Sequence, residues 1–279
     1  MENKIKVLIP TDFSVQGDYA FVMVNNLAKK LAMEVTFLHV LNVPDTVSLS
    51  NEGEIETCGE IDIDFVAKQK QMAEQKLGEL EKTHGDKINT ALVFGKTTTG
   101  IINYAEENNY DFIAMGTKGS SGLTERIVGS EAQLIARKSE VPVLSLMCDR
   151  SEFDLKKMVL VHNFEENQKQ ELSLLEKLIQ AFGTEIHLLQ ITDDTSTDQV
   201  ALIHDRMDEF AKSNNMKDYH KHILKDEDVE NGVIHFNQMN NIDLVCIGTH
   251  GTGGFFKTSA AEALINHMYK PVITYRIKS

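Results

Sequence analysis

Two pairs of small residues in the first half of the sequence have the types and spacing of a phosphate-binding loop. Gly116 and Gly119 follow an apolar run that ends at Met115, and after nine further residues Gly129 and Ser130 open a segment of helical periodicity. Glycine lets backbone N–H groups approach an anion without an intervening Cβ. The unpaired N–H groups at a helix N-terminus favour negative charge. The pattern predicts a phosphate site, with an ordinary tight strand-to-helix connection as the alternative.

The segments around this glycine loop alternate between short apolar runs and amphipathic stretches. The expected strands cover residues 6–10, 34–41, 88–94, 111–115 and 141–146, and the expected helices cover 18–31, 65–82, 99–108 and a stretch from 129. This alternation predicts a parallel, doubly wound sheet with helices on both faces. Ligands of such sheets bind outside the carboxyl ends of the strands.

Two further positions converge on that edge of the sheet. Asp12 follows the first expected strand, and Val40 lies at the end of the second. The carboxylate of Asp12 could accept hydrogen bonds from a ribose hydroxyl or an adenine amino group, and the backbone near Val40 could pair with a base edge. The glycine loop would then surround the phosphates. An N-terminal helix cap is the alternative role for Asp12.

The pattern of the first half starts again near residue 157. The matching segments are 157–164 with 6–13, 185–191 with 34–40, 243–251 with 111–119, and Pro271 with Pro142. Matches at several separated strands indicate a duplicated domain. We predict a first copy at 1–149 and a second copy at 154–279, each with a five-stranded, mostly parallel sheet.

Composition excludes several classes of protein. The 279 residues carry a net charge of −14 that both copies share, which argues against binding to a nucleic-acid backbone. Three separated cysteines without a CxxC pair fit a reduced compartment. We find neither an apolar run long enough to span a bilayer nor a signal-type segment, so we expect a soluble, cytoplasmic protein without a membrane partner.

The first copy resembles the universal stress protein family. Members of that family that bind ATP carry the pattern G-x2-G-x9-G-[S/T] after the fourth strand, and the glycine loop with Ser130 fits this spacing without a gap. The turn from Pro10 to Ser14 is similar to the opening turn of the family, whose Asp lies at the nucleoside. The repeat extends the resemblance over nearly the whole chain.

The resemblance implies a Rossmann-like fold of the adenine nucleotide alpha-hydrolase type, with two tandem domains that pack as an intramolecular pseudo-dimer. It implies ATP in the first copy, with ADP or AMP as alternatives and Mg²⁺ bound with the nucleotide. A further pairing of two chains and an unidentified protein partner are also in keeping with it. The implied nucleotide-binding residues are Pro10, Thr11, Asp12, Val40, Met115, Gly116, Gly119, Gly129, Ser130 and Glu131.

The second copy departs from the pattern where a ligand would bind. Asn163 stands in the place of Asp12, and Ala261 with Glu262, or in another alignment Thr258 with Ser259, stands opposite Gly129 and Ser130. A carboxylate at a helix start repels phosphate. We therefore expect a degenerate second site, with a different ligand held by a small anion nest as the alternative.

Three classes of function are in play: a nucleotide-binding regulatory module, an enzyme of the same architecture, and a scaffold that binds no nucleotide. We find no nucleophile or general base with a positioned partner, so we expect binding, with at most slow hydrolysis or autophosphorylation through Ser130 or Thr117. His220 and His222 have the spacing of a metal pair, but the charged sequence around them is more typical of a solvated face.

Overall fold

The computed structural model describes residues 4–50, 53–58, 61–117, 128–165, 172–249 and 259–277, and omits the side chains of 128–130 and 259. The strands are β1 (Ile5–Pro10), β2 (Met33–Leu41), β3 (Val47–Leu49), β4 (Ile55–Thr57), β5 (Ile88–Phe94), β6 (Phe112–Gly116), β7 (Val143–Leu146), β8 (Lys157–Val161), β9 (Glu185–Thr192), β10 (Tyr219–Lys225), β11 (Leu244–Thr249) and β12 (Val272–Arg276). The helices are α1 (Val15–Leu27), α2 (Ile63–His84), α3 (Thr97–Glu107), α4 (Val128–Lys138), α5 (Ser173–Phe182), α6 (Thr197–Ser213), α7 (Val229–Asn240) and α8 (Ser259–His267).

Ten of these strands form one continuous sheet in the order β10-β9-β8-β11-β12-β7-β6-β1-β2-β5. The five strands of each copy run parallel to one another, as the alternation of apolar and amphipathic segments predicted. The two sets join where β7 and β12 pair antiparallel. The α/β class and the two five-stranded halves are thus confirmed.

The pairing of β7 with β12 has a symmetric register. Leu144 lies opposite Ile273, and the alignment of Pro142 with Pro271 makes these two residues counterparts. The flanking pairs, Val143 with Thr274 and Ser145 with Val272, exchange counterparts across that centre. Counterpart residues of the two copies thus pair symmetrically about Leu144 and Ile273.

Apolar layers cover both faces of the sheet and run through both copies. One layer includes Phe37 of β2 and Phe112 of β6, and continues to Leu188 of β9. The other includes Ile113 of β6 and Val245 of β11. Strands buried on both faces explain why their sequences read as nearly continuous apolar runs.

Polar contacts at the amino ends of the strands are duplicated as well. The carboxylate of Asp111 accepts a hydrogen bond from the backbone N–H of Lys6 at 2.8 Å, and that of Asp243 accepts one from Lys157 at 2.9 Å. Each carboxylate ties the start of one central strand to its neighbour. The repeat seen in the sequence is thus also a repeat of individual contacts.

The structure differs from the predicted elements mainly outside the sheet. Helix α1 begins at Val15 and ends at Leu27, three to four residues earlier than predicted. The acidic segment 44–63 contains a hairpin of β3 and β4, because Val47 packs with Val43 and Val66 in a small separate core. Strands of three residues are too short for a periodic pattern. No helix in the described part of the chain has the length and apolar character needed to cross a membrane.

Candidate functional site

A cleft of about 200 Å³ opens at the carboxyl ends of β1, β2 and β6. The starts of α1, α3 and α4 face it, so backbone donors of three helices border one space. Seven predicted site residues line the cleft: Pro10, Thr11, Asp12, Val40, Met115, Gly116 and Glu131. Of the other three, Gly119 lies outside the described residues, whereas Gly129 and Ser130 are described only as backbone in the first turn of α4.

The turn after β1 fixes the carboxylate of Asp12 at the rim of the cleft. Its Oδ1 accepts a hydrogen bond from the backbone N–H of Ser14 at 2.9 Å, and Thr11 Oγ1 accepts one from the N–H of Phe13 at 2.9 Å. Phe13 has a φ of 66°, the left-handed region that bulky residues rarely adopt. Ser14, not Asp12, is the N-cap residue of α1, so the capping role considered for Asp12 is not the one the structure has.

The backbone N–H and C=O groups of Val40 have no strand beside them on the β1 side, because β1 ends before it reaches Val40. Leu38 accepts a hydrogen bond from the Thr11 N–H on the β1 side, whereas Leu41 accepts one from Gly95 on the opposite side. Peptide groups two residues apart on a parallel strand point the same way. The N–H and C=O of Val40 therefore face the β1 side, beyond the last pair of β1 and β2 at Pro10 and Leu38.

Gly116 is required by the close approach of α1. A Cβ at this position would lie 2.6 Å from the Gln16 Cβ and 2.8 Å from its backbone oxygen. The Gln16 Oε1 and Ser14 Oγ atoms beside the cleft are buried and have no hydrogen-bond partner among the described residues. Buried polar atoms normally have a partner, so two orphaned ones beside a cleft fit a polar ligand.

Glu131 brings a carboxylate to the start of α4. Its Oε1 accepts a hydrogen bond from the Thr98 hydroxyl of α3 at 2.5 Å, which ties the starts of α3 and α4 together. With Asp12, the cleft has two carboxylates, and the described lining contains neither Lys nor Arg. A bound phosphate chain would need backbone N–H groups and a cation to balance its charge.

The residues present fit Mg²⁺ that arrives with a nucleotide. No group of three or more His, Cys, Asp or Glu side chains in the described ranges could hold a metal by itself. Mg²⁺ commonly keeps several waters and binds through substrate phosphates and one or two carboxylates. Asp12 and Glu131 are the carboxylates that line the cleft.

The hydroxyl of Thr117, considered above as a phosphate acceptor, is already engaged in a hydrogen bond inside the protein. It is buried and donates to the backbone oxygen of Leu146 at 3.4 Å, while the Thr117 N–H donates to the same oxygen at 2.9 Å. In the second copy, Thr249 makes the equivalent contact with Tyr275 at 3.3 Å. The contact joins the end of β6 to β7 in the first copy and β11 to β12 in the second, so both copies use this threonine to hold neighbouring strands together.

Comparison with known proteins identifies the family. The model of the universal stress protein family matches residues 5–146 and 155–276. The chain belongs to the universal stress protein family. Universal stress protein MJ0531 of Methanocaldococcus jannaschii is 32% identical over 139 residues, which are 50% of this chain and 79% of that protein. Universal stress protein YxiE of Bacillus subtilis is 29% identical over 143 residues, 50% of this chain and 96% of its own.

Among solved structures, a universal stress protein from Archaeoglobus fulgidus has a TM-score of 0.69 and 24% identity, covering 97% of this chain and 96% of its own. This likeness shows that the fold extends over both copies. Another solved universal stress protein is in complex with cAMP, but it covers 51% of this chain with a TM-score of 0.36, too low a likeness to bear on the ligand here.

Within this universal stress protein fold, the second copy surrounds the counterpart of Gly116 with different side chains. A Cβ at Gly248, the counterpart of Gly116, would lie 2.3 Å from the Ile277 Cδ1 and 3.5 Å from the ring of Tyr275. Both of these side chains are buried. Apolar side chains thus cover Gly248, whereas a polar one covers Gly116.

Glu262 lies at the start of a helix, as the sequence suggested, and it also contacts the first copy. It lies in the first turn of α8, but its carboxylate is 3.4 Å from the Arg137 guanidinium of α4, and its backbone oxygen accepts a hydrogen bond from the Gln133 side chain at 2.9 Å. Arg276 adds a bond of 3.0 Å to the backbone oxygen of Arg137. Glu262 therefore helps to hold the two copies together.

The expected solvated face holds for one histidine of the pair and not for the other. His220 is exposed, but His222 is half-buried and its Nε2 lies 2.9 Å from the Nδ1 of His187. Burial and the neighbouring His187 and His220 lower the pKa of His222 to about 4. The contact with His187 could not be inferred from spacing, because it joins two strands.

Seven lining residues were not among the predicted ones: Ser14, Gln16, Gly17, Leu38, His39, Thr97 and Ile101. Gly17 had a signal in the sequence, because a glycine early in a helix often marks a close approach. In the structure, a Cβ at Gly17 would lie 3.1 Å from the Thr11 Oγ1. Thr97 begins α3 directly after β5, where doubly wound folds carry ligand contacts.

Proposed function

We propose that this universal stress protein is a cytoplasmic regulatory module of the stress response that binds one ATP per chain. The first domain, residues 1–149, binds the nucleotide, and the second, residues 154–279, is its intramolecular pseudo-dimer partner. The observation that carries the proposal is the convergence of Asp12, the free edge of Val40, Gly116 and the start of α4 on one cleft. The symmetric register of β7 and β12 supports the pseudo-dimer.

The adenine ring lies against the end of β2 in this proposal. Adenine offers an acceptor at N1 beside a donor at N6, which matches the N–H and C=O of one outward-facing peptide residue such as Val40. Guanine presents the opposite pair, a donor at N1 and an acceptor at O6. We therefore expect MgATP to bind more tightly than MgGTP by at least about tenfold, since mismatched polar groups would be buried unpaired.

The phosphates lie toward Gly116 and α4, where backbone N–H groups take the place of cationic side chains. Gly119, Gly129 and Ser130 belong to this part of the proposed site. Asp12 has one carboxylate oxygen, Oδ2, with no hydrogen bond to the described residues, and this oxygen accepts from a ribose hydroxyl. ADP or AMP would use the same nucleoside contacts with fewer phosphate contacts.

The test is a titration of nucleotide-stripped protein with MgATP, comparing Asp12→Ala with its counterpart Asn163→Ala. A hydrogen bond to a charged group contributes roughly 1.5–3 kcal/mol, so Asp12→Ala should weaken binding about 10- to 100-fold. Asn163→Ala should bind as the unmodified protein does. Equal affinity for all three proteins would contradict the assignment of Asp12, and no binding at millimolar MgATP would move the protein to the scaffold class.

A further inference from the structure

Phe13, in the turn that carries Asp12, contacts side chains of two other elements, His39 of β2 and Lys76 of α2. The Phe13 ring lies against the imidazole of His39 in β2, with ring centroids 4.5 Å apart and planes tilted by 35°. On the Phe13 ring lies the Nζ of Lys76 in α2, 4.9 Å from the centroid. A cation over an aromatic face is attracted by the ring quadrupole. These contacts thus hold a residue whose left-handed backbone would otherwise be strained.

His39 also bonds the turn directly. Its Nδ1 lies 2.8 Å from the backbone oxygen of Thr11. A carbonyl oxygen can only accept, so Nδ1 carries the hydrogen and the imidazole donates. This bond orients the peptide between Thr11 and Asp12, and the side chains of Thr11 and Asp12 then close the turn onto the N–H groups of Phe13 and Ser14.

We propose that His39 is a positioning residue for nucleotide binding: its Nδ1–H···O=C bond to Thr11 sets the orientation of the Asp12 carboxylate toward the cleft. The inference rests on the proposed function and adds a residue to which neither the glycine motif nor the Asp12 turn assigns a part. Burial lowers the pKa of His39 below its ordinary value, reinforced by Lys76 and opposed by the Thr11 bond and Asp12. The neutral form with hydrogen on Nδ1 is therefore the form present at neutral pH.

The second copy supports this reading independently. Phe164, the counterpart of Phe13, has a φ of 53°, and its N–H bonds the Nδ1 of His162 at 2.7 Å. There the aromatic support is Phe210, whose ring meets that of Phe164 edge-on at 5.2 Å. The position of His39 is taken by Gln190. Both copies thus support the turn with an aromatic side chain, and only the copy with the aspartate uses a histidine from the second strand.

The experiment compares His39→Leu, His39→Asn and the matched control Gln190→Leu by titration with MgATP, with the melting temperature of each variant as a measure of folding. The Asn amide nitrogen stands where the His Nδ1 does, so it restores the donor. We expect His39→Leu to lose about tenfold in affinity, the value of one hydrogen bond. His39→Asn should remain within about threefold of the unmodified protein, and Gln190→Leu should be unchanged.

Two results would overturn the role of His39: wild-type affinity in a folded His39→Leu protein, or His39→Asn binding as weakly as His39→Leu. A second measurement does not depend on the nucleotide. The ¹⁵N resonances of His39 in the ligand-free protein should identify hydrogen on Nδ1, and hydrogen on Nε2 alone would overturn the inference. If the unmodified protein binds no MgATP, the proposed function fails by itself, and the tautomer still decides whether His39 orients the turn.

Discussion

In the first copy the turn after β1 borders an open cleft, whereas in the second copy the same turn after β8 is more deeply buried. Thr11 and Phe13 are half-buried, whereas their counterparts His162 and Phe164 are each only 1% exposed. Asp12 is exposed, and its counterpart Asn163 is half-buried. Both turns keep the left-handed phenylalanine and the side-chain bonds that close it. The comparison separates what the fold needs from what a ligand needs.

The fold needs the turn, because the chain must leave β1 and β8 and enter a helix on one face of the sheet. A ligand needs the space beyond the turn and the polar groups around it. In the first copy the orphaned Gln16 Oε1 lies over Gly116, and in the second copy the Ile277 side chain lies over Gly248. The two copies thus keep the same turn and differ in the side chains beside it.

Among substitutions that distinguish the two copies, Gly129→Val should have the largest effect, a loss of nucleotide affinity. A branched side chain at the start of α4 would stand between its N–H groups and a phosphate, so MgATP affinity should fall by more than about 100-fold. Calorimetric titration measures the loss, and circular dichroism checks that the variant is folded. Unchanged affinity in a folded Gly129→Val protein would remove α4 from the site.

Next in size is Ile277→Ala in the second copy. Ile277 is 4% exposed and fills the space over Gly248, so its truncation should lower the free energy of unfolding by about 2–4 kcal/mol. MgATP affinity should not change, and Ile277→Val should cost about 1 kcal/mol. Urea denaturation gives the free energies. A second bound nucleotide in Ile277→Ala would mean that one side chain alone blocks the second site.

A smaller effect distinguishes the two counterpart glycines. In Gly116→Ala the new Cβ meets the backbone of Gln16, so α1 must shift and stability should fall by about 1–3 kcal/mol. In Gly248→Ala the contact is with the end of the Ile277 side chain, which can move more easily. Thermal denaturation should therefore show the larger loss for Gly116→Ala. The reverse order would contradict the account of how α1 approaches β6.

The smallest expected effect is a loss of stability at acidic pH that comes from His222 in the second copy. The folded pKa of His222 is about 4, below its ordinary value of 6.5, so the unfolded chain binds the proton first as the pH falls. Stability is fully present above pH 6.5 and is lost between about pH 6.5 and 4. Solvent screening of a half-buried ring limits the loss to about 1 kcal/mol.

Glu185 faces this cluster, with its Oε1 3.2 Å from the Nε2 atoms of both His187 and His220, and Lys157 acts on His187 from β8. Denaturation at pH 7, 5.5 and 4.5 should show a smaller loss in His222→Gln than in the unmodified protein. An identical pH dependence of the two proteins would exclude His222 as its source.

The sequence was sufficient for the features that repeat or that follow one strand. The duplicated segments, the strands and Gly116 with Asp12 are local patterns, and the structure brings Asp12, Val40 and Gly116 to one cleft. Contacts between distant elements could not be predicted in this way. Gln16 became part of the cleft wall because α1 crosses Gly116, and His39 supports Phe13 because β2 lies beside β1. The ion pair of Glu262 was missed because its partner, Arg137, belongs to the other copy.

The most direct test of the central claim is the number of nucleotides bound per chain. Nucleotide-stripped protein would be titrated with MgATP, and the nucleotide that co-purifies would be measured by chromatography. We expect a stoichiometry of one, because Asp12 borders an open cleft and Ile277 covers the corresponding glycine of the second copy. Two nucleotides per chain would contradict the loss of the second site, and none would contradict the proposed function itself.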